Sequence, residues 1–400
     1  MNNQEWIKRE EERCAHNYHP LPVVLTKGQG AWVWDIEGKR YLDMMSAYSA
    51  ISLGHSHPKL VAVLKEQAER LCVVSRAFHA DTLLPFLDTL CKLCQMDMAL
   101  PMNSGAEAVE TALKAARRYG YEKKGIEDNK AEIIVANNNF HGRTISIISF
   151  STEKDYQKHF GPLTPGFVSI PFGDSEALKK AITKNTCAFL VEPIQGESGI
   201  QIPPDGWLKD CEKICKANKV LLILDEIQSG LGRTGKMFAY EHEDVKPDGL
   251  ILGKALGGGL LPVSAFLANK DVMEVFVPGS HGSTFGGNPL AARIGSAVLE
   301  ILKEEGIVER SHQLGEVLLK ALRSIKHPLI KSVRGRGLWI GVEMDTTKVP
   351  ARKICQKMME LGVLAKETHE TVIRFAPPLI IEEQDLYFAV EQFTKALNAV

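Results

Sequence analysis

Between about residues 100 and 270 the chain repeats one pattern, a short apolar run followed by a polar or helical stretch. The runs EIIVAN (132–137), FVSI (167–170), AFLVE (188–192), VLLILDE (220–226) and GLILGK (249–254) are nearly continuous in apolar residues. Strands buried on both faces have this texture, whereas half-exposed strands alternate. The pattern predicts an α/β fold with a mostly parallel sheet covered by helices on both faces. Sheets of that kind hold their ligands beyond the carboxyl ends of the strands.

The flanks differ. AWVWDIEGKRYLDMM (31–45) places strand formers around a Glu37-Gly38 turn signal, and a helix is expected from Pro58 to about Cys72. After about 290, two helical stretches lead into GLWIGVEM (337–344), TVIRFAP (371–377) and a last helix near 382–398. That is the texture of a smaller α+β domain. The N-terminal strands are too few to stand alone, so residues 1–50 are expected to pack with 290–400, leaving 51–289 as the large domain. No repeat, low-complexity tract or long linker interrupts this order.

Charge narrows the function classes. With 48 Lys+Arg against 49 Asp+Glu the formal charge is -1, without the positive bias that nucleic acid or an anionic membrane demands of a partner. No apolar run reaches the length of a spanning helix, and MNNQEWIKREEER is too charged for a secretory signal, so a cytoplasmic protein is expected. The pairs Cys91/Cys94 and Cys211/Cys215 admit a zinc reading. Both lie in segments of helical period, where small core residues are expected, and no metal site is assigned.

Candidate chemistry gathers at the predicted strand ends. Lys254 closes an apolar strand ahead of Ala-Leu-Gly-Gly-Gly; desolvation there lowers an amine's pKa, as a carbonyl-binding lysine requires. Asp225 closes VLLIL and needs a cationic or hydrogen-bonding partner. A protonated pyridine nitrogen is one candidate and a structural ion pair with Arg233 another. Gln228 lies within reach of the same ligand. Ser104, Gly105 and Ala106 open a helix with Glu107 at capping-box spacing, which suits an anion or a plain cap. Phe140 and His141 offer ring faces beside Arg143, whose guanidinium can fork a carboxylate. Asn103, Phe140, Glu192, Asp225 and Lys254 all fall on one rim.

Gly230-Leu-Gly-Arg-Thr-Gly235 also fits the dinucleotide pattern G-x-G-x-x-G. The fit fails in context, because Asp225-Glu-Ile-Gln-Ser separates it from its strand, and Met237 stands where a triphosphate loop carries Ser or Thr. A nucleotide-binding α/β protein is therefore the alternative of another class.

Taken together, the motifs NYHPLPV at 17, SAYSA at 46, NSGAEAVETALK at 103, NFHGRT at 139, VEPIQGESG at 191, LDEIQSGLGRTG at 224, GKALGGGLLP at 253, HGSTFGGNP at 281 and IRFAPPL at 373 resemble the class III family of pyridoxal-phosphate aminotransferases. They are nearest its ornithine-transaminating branch. The resemblance implies fold type I, pyridoxal 5'-phosphate bound by Lys254, Asp225, Gln228, Ser104, Gly105, Ala106, Phe140 and His141, and Thr284 reaching the phosphate of a second subunit in a homodimer. It further implies ornithine and 2-oxoglutarate or glutamate as substrates, met by Tyr18, Tyr48, Arg143 and Glu192. Glu197 and Arg374 resemble a salt bridge that opens when glutamate binds. His141 stands where some ornithine-type members carry a larger aromatic, and it also suits the acetylornithine branch.

Overall fold

The computed structural model describes all residues from Met1 to Val400. Its central sheet has seven strands in the order Met98–Met102, Ser264–Ala268, Gly249–Leu252, Leu221–Asp225, Thr186–Val191, Glu132–Ala136, Phe167–Ile170. Only Ser264–Ala268 is reversed, antiparallel to both neighbours, so the sheet is mostly parallel as expected. Pro101 is tolerated because its strand lies at the sheet's edge, where a missing N–H donor breaks no second ladder.

The apolar strand runs are explained by two cores. Ile133, Val135, Ala188, Leu190, Leu221 and Ile223 enter one buried cluster, while Ile134, Ala136, Phe189, Val191, Leu222 and Leu224 enter another. Successive side chains point to opposite faces of a strand, and here both faces are covered. Helix Gly105–Glu122 packs on the first face, and helix Trp207–Ala217 contributes Trp207, Leu208, Cys211 and Cys215 to the second. Both cysteine pairs thus lie on helices packed against a core, with Cys94, Cys211 and Cys215 buried and their thiols pushed up by desolvation.

Two smaller sheets complete the chain. Leu25–Gln29, Trp32–Asp35 and Arg40–Asp43 form an antiparallel ribbon that Val363–Leu364 joins in parallel, so the N-terminal strands pair directly with C-terminal backbone. Ile330–Gly335, Ile340–Met344, Val372–Phe375 and Lys366–Thr368 make an antiparallel sheet flanked by helices that include Ile307–Ser324 and Glu383–Asn398. No helix is long and apolar enough to cross a membrane.

The glycine-rich loop 230–235 is packed against this smaller sheet's turn. A Cβ on Gly337 would lie 2.4 Å from the Thr234 carbonyl carbon, and one on Gly235 would lie 3.0 Å from the His312 Cα. The loop is a close-packed turn whose backbone is occupied by the chain itself. The same stack predicts a stability effect: a Cβ on Gly315, within helix Ile307–Ser324, would sit 2.3 Å from the Gly337 carbonyl carbon. Gly315→Ala is expected to destabilise the protein by about 1–3 kcal/mol, read as a lower urea midpoint at unchanged slope.

Candidate active site

The expected rim forms because each strand delivers its last residues to the same edge. Asp225 ends Leu221–Asp225, Glu192 follows Thr186–Val191, Asn103 follows Met98–Met102, and Phe140 lies in the loop after Glu132–Ala136. A cavity of about 140 Å³ opens there, and Ala106, Phe140, Glu192, Asp225, Gln228 and Lys254 all contribute to its wall.

Asp225 is 4% exposed, and its compensation comes from across the sheet. The Oδ2 atom lies 2.7 Å from His141 Nδ1, and Oδ1 accepts from the Ile227 backbone N–H at 3.0 Å. Arg233 makes its bonds elsewhere, so the alternative ion pair does not form. Burial opposes a charged imidazole at His141, but the hydrogen bond and charge of Asp225 outweigh it and hold the histidine above its ordinary pKa. The His141 Nε2 atom has no partner. Glu192, 6% exposed, accepts from the Phe140 backbone N–H at 3.0 Å. Desolvation pushes its pKa up to about 8 despite the neighbouring His141.

Lys254 sits two residues beyond Gly249–Leu252 instead of ending that strand, and starts a 3₁₀ turn with φ 44°. A left-handed lysine is strained, and such strain persists only where the surroundings over-determine it. Burial lowers the Lys254 pKa, with Glu197 and Asp225 opposing and Arg374 assisting. A larger neutral fraction of this amine follows.

Ser104 caps helix Gly105–Glu122 in a complete capping box: its hydroxyl accepts from the Glu107 N–H at 3.3 Å, while the Glu107 carboxylate accepts from the Ser104 N–H at 2.6 Å. The first-turn N–H groups beyond the box stay available for an anion. Glycine is needed at 105 for packing, since a Cβ there would lie 2.9 Å from Ile227 Cδ1.

At the cavity's edge Arg374 and Glu197 form a two-pronged pair, Nη1 to Oε1 at 2.9 Å and Nη2 to Oε2 at 3.0 Å. Gln228 also donates to Glu197 Oε1 at 2.8 Å, and its own Oε1 is buried without a partner. Burial alone would raise the Glu197 pKa, but Arg374 and Gln228 bring it down to about 2. The Arg374 guanidinium lies 5.4 Å from the Tyr48 ring. Tyr48 rides on Ser46–Ser49, four consecutive residues with φ between 42° and 73° and no glycine among them. Arg143, exposed and without a carboxylate partner, stacks 3.6 Å from the centroid of Tyr156 and 5.5 Å from that of Phe140. Tyr156 was not legible beforehand, because its short helix Lys154–Gln157 carries no chemical motif.

Two predicted residues stand apart. Tyr18 is 73% exposed on the N-terminal segment, with no hydrogen bond or ring contact. Thr284 is exposed in the loop before helix Pro289–Glu304, beside Ser283, whose hydroxyl accepts from Asn103 Nδ2 at 3.0 Å.

The description aminotransferase class-III matches residues 13–397. The chain belongs to the class-III aminotransferases. Within that family it is 59% identical over 396 residues to an ornithine aminotransferase of Geobacillus sp. (strain WCH70), covering 99% of each chain. A Toxoplasma gondii ornithine aminotransferase structure, described with partial occupancy of PLP at its active site, superposes with a TM-score of 0.98 at 44% identity, over 100% of this chain and 95% of that one. An acetylornithine aminotransferase from Elizabethkingia anophelis superposes at 0.91 with 46% identity and full coverage of both.

The class-III cofactor is pyridoxal 5'-phosphate, and the residues fit it. One cavity joins a desolvated amine, a buried carboxylate, an unpartnered amide oxygen at Gln228 and a helix start.

The position of Glu192 yields a pH prediction. Its folded pKa is raised, so the folded protein keeps a proton that the unfolded chain releases, and stability falls as pH rises from about 4.5 to about 8. Glu192→Gln keeps an acceptor for the Phe140 N–H and removes that slope. The variant is expected to be more stable than the parent at pH 8.5, by up to roughly 5 kcal/mol for a shift of that size, with the difference vanishing near pH 4.5 in a melting series.

Proposed function

We propose that this protein is an ornithine aminotransferase, moving the δ-amine of L-ornithine to 2-oxoglutarate to give glutamate and glutamate 5-semialdehyde, which closes to pyrroline-5-carboxylate. The observation that carries the reading is the two-pronged Glu197–Arg374 pair beside Tyr48, with Arg143 left free. A site that reacts at the terminal amine of ornithine and then at the α-amine of glutamate must offer one carboxylate clamp to the first substrate and two to the second. Arg143 is the permanent clamp. Arg374 is the conditional one, covered by Glu197 while ornithine's amine approaches.

In this assignment Lys254 holds the cofactor through its amine, Asp225 faces the pyridine nitrogen, Phe140 and His141 flank the ring, Gln228 meets its hydroxyl, and Ser104, Gly105 and Ala106 cradle the phosphate. Bound there, the cofactor supplies an electron sink for the pair left when the C–H bond beside the reacting amine breaks. Lys254, released by the incoming amine, takes that proton and returns it, and its lowered pKa favours the base form. Asp225, fixed by His141, holds a negative charge toward the ring. Tyr48 and Tyr18 receive the α-amine and α-carboxylate end of ornithine, while Glu192 supports the Phe140 loop through its backbone bond.

The proposal includes a cytoplasmic homodimer. Thr284 then reaches the phosphate bound by the partner, and exposed Phe78, Leu84 and Phe285 supply apolar surface for the interface. The same reading keeps 51–289 as the cofactor-bearing unit and 1–50 with 290–400 as the smaller one, supported by the pairing of Arg40–Asp43 with Val363–Leu364. An acetylornithine specificity is the second reading, favoured by His141 and by the 46% identity to that relative. Acetylation removes the α-ammonium that Tyr48 would meet, so the two substrates separate the readings.

With 2-oxoglutarate as acceptor, ornithine is expected to be used at least about tenfold more efficiently than acetylornithine or γ-aminobutyrate, with parallel-line ping-pong kinetics; a preference for acetylornithine would transfer the assignment. Lys254→Ala should lose the yellow absorbance of covalently held cofactor and all turnover. Glu197→Ala should bind glutamate more tightly and shift reaction toward the α-amine of ornithine by about tenfold, seen by product analysis. An unaltered balance of α- and δ-products would remove the gate.

A further inference from the structure

Arg233 lies in the glycine-rich loop that the cofactor site leaves unexplained. It is 0% exposed, yet no carboxylate stands within salt-bridge distance. All its guanidinium partners are neutral oxygens. The Nη1 group donates to the Leu338 carbonyl at 2.9 Å and the Pro377 carbonyl at 2.6 Å, and Nη2 donates to the hydroxyls of Ser46 and Ser52, each at 3.3 Å. Burying a cation without a counter-ion is unfavourable, and an apolar side chain would satisfy packing alone. What the planar fork adds is geometry, since it grips separate chain segments in fixed relation.

Those segments carry the proposed substrate groups. Ser46 opens the left-handed turn that bears Tyr48, and its hydroxyl donates onward to the Ala376 carbonyl at 2.6 Å. Ala376 and Pro377 follow directly on Val372–Phe375, the strand that holds Arg374. Ser52 ties the far end of the turn, donating to the Ser49 carbonyl at 3.2 Å, while its own carbonyl accepts from the Leu379 N–H at 2.7 Å. One guanidinium therefore touches the Tyr48 turn and the exit of the Arg374 strand together. It does so from the loop that begins at Asp225 and Gln228. Four successive left-handed residues without glycine are costly for L-amino acids. Asp43 Oδ1 caps the start of the turn, accepting from the Met45 and Ser46 N–H groups at 2.9 and 2.8 Å, and the Arg233 fork is the group that reaches the side chains at both ends.

We propose that Arg233 is the positioning residue that fixes Tyr48 against Arg374, and through them sets the preference for a substrate with an α-amine. The inference rests on the ornithine reading, in which Tyr48 meets that amine. Removing the fork should leave the cofactor seat intact and loosen only the α-amine end.

The test follows the amine half-reaction of the cofactor-loaded protein with ornithine and with 5-aminopentanoate, which is ornithine without its α-amine. Arg233→Lys keeps the charge and loses the fork. It is expected to raise the KM for ornithine about tenfold with kcat within about threefold, leaving 5-aminopentanoate kinetics and the visible spectrum of the bound cofactor unchanged. Ser46→Ala leaves the cation in place, cuts one of its two links to the turn together with the Ser46–Ala376 bond, and should move ornithine KM the same way by about threefold. Parallel losses with both amines, or no change in either, overturn the proposal. If Arg233→Lys does not fold, Ser46→Ala decides alone, and an unchanged ornithine KM then counts against it. Tyr48→Ile separates the two layers. If it shifts ornithine and the other two variants do not, this inference fails and the substrate reading stands. If Tyr48→Ile leaves ornithine preference untouched, the substrate reading itself has failed.

Discussion

Burying a carboxylate at the end of a wholly apolar strand is the constraint around which the site is arranged. Asp225 stands where the strand leaves the core, and two other carboxyl groups, Glu192 and Glu226, are buried close by. Three unpaired buried charges around one strand end would be costly. Of the three, Asp225 alone has a basic partner, His141 at 2.7 Å, whose pKa the contact raises. The others are shifted toward their protonated forms: desolvation pushes Glu192 to about 8, and Glu226, which accepts from Ser229 and the Tyr240 N–H, to about 7.

Close backbone approach is the second organising feature. A Cβ on Gly196 would lie 2.1 Å from Gln228 Oε1 and 2.5 Å from the Trp339 ring, so only glycine lets the 196–199 turn reach the cavity from the neighbouring strand end. Glu197 is thereby brought within bonding distance of both Gln228 and Arg374. The glycines of 230–235 serve the same end against Gly337 and His312. In both loops glycine supplies proximity between chain segments, which a phosphate-loop pattern mimics in sequence.

Much of this was legible in the chain. The five apolar runs became strands at nearly their expected bounds because burial on both faces leaves no polar alternation to confuse them, and the Ser104–Glu107 capping box formed as spaced. Ser264–Ala268 carried no such signal: three of its five residues are Ser or Ala, and its reversed direction depends on neighbours distant in sequence. The partner of Asp225 was missed for the same reason, since His141 lies 84 positions away. Nothing in Ser-Ala-Tyr-Ser announces four left-handed residues, although the turn is tied locally by Asp43 and at a distance by Arg233 and Ala376. Local pattern encodes what local forces decide, and the geometry of the substrate edge is decided elsewhere.

The Glu197–Arg374 pair shows how such a site can serve two substrates on the proposed reading. Arg374 is 3% exposed. Leaving a buried guanidinium without its carboxylate costs about 3–5 kcal/mol, so the pair does not open spontaneously to any useful extent. An incoming dicarboxylate changes the balance, because its second carboxylate replaces Glu197 at nearly equal electrostatic value. Ornithine, with one carboxylate already committed to Arg143, offers no replacement and meets a closed pair. On that reading the gate needs no moving lid, only that Arg374 exchange one carboxylate for another. On the same reading Tyr48, whose ring lies 5.4 Å from that guanidinium, would bound the space taken by ornithine's second amine.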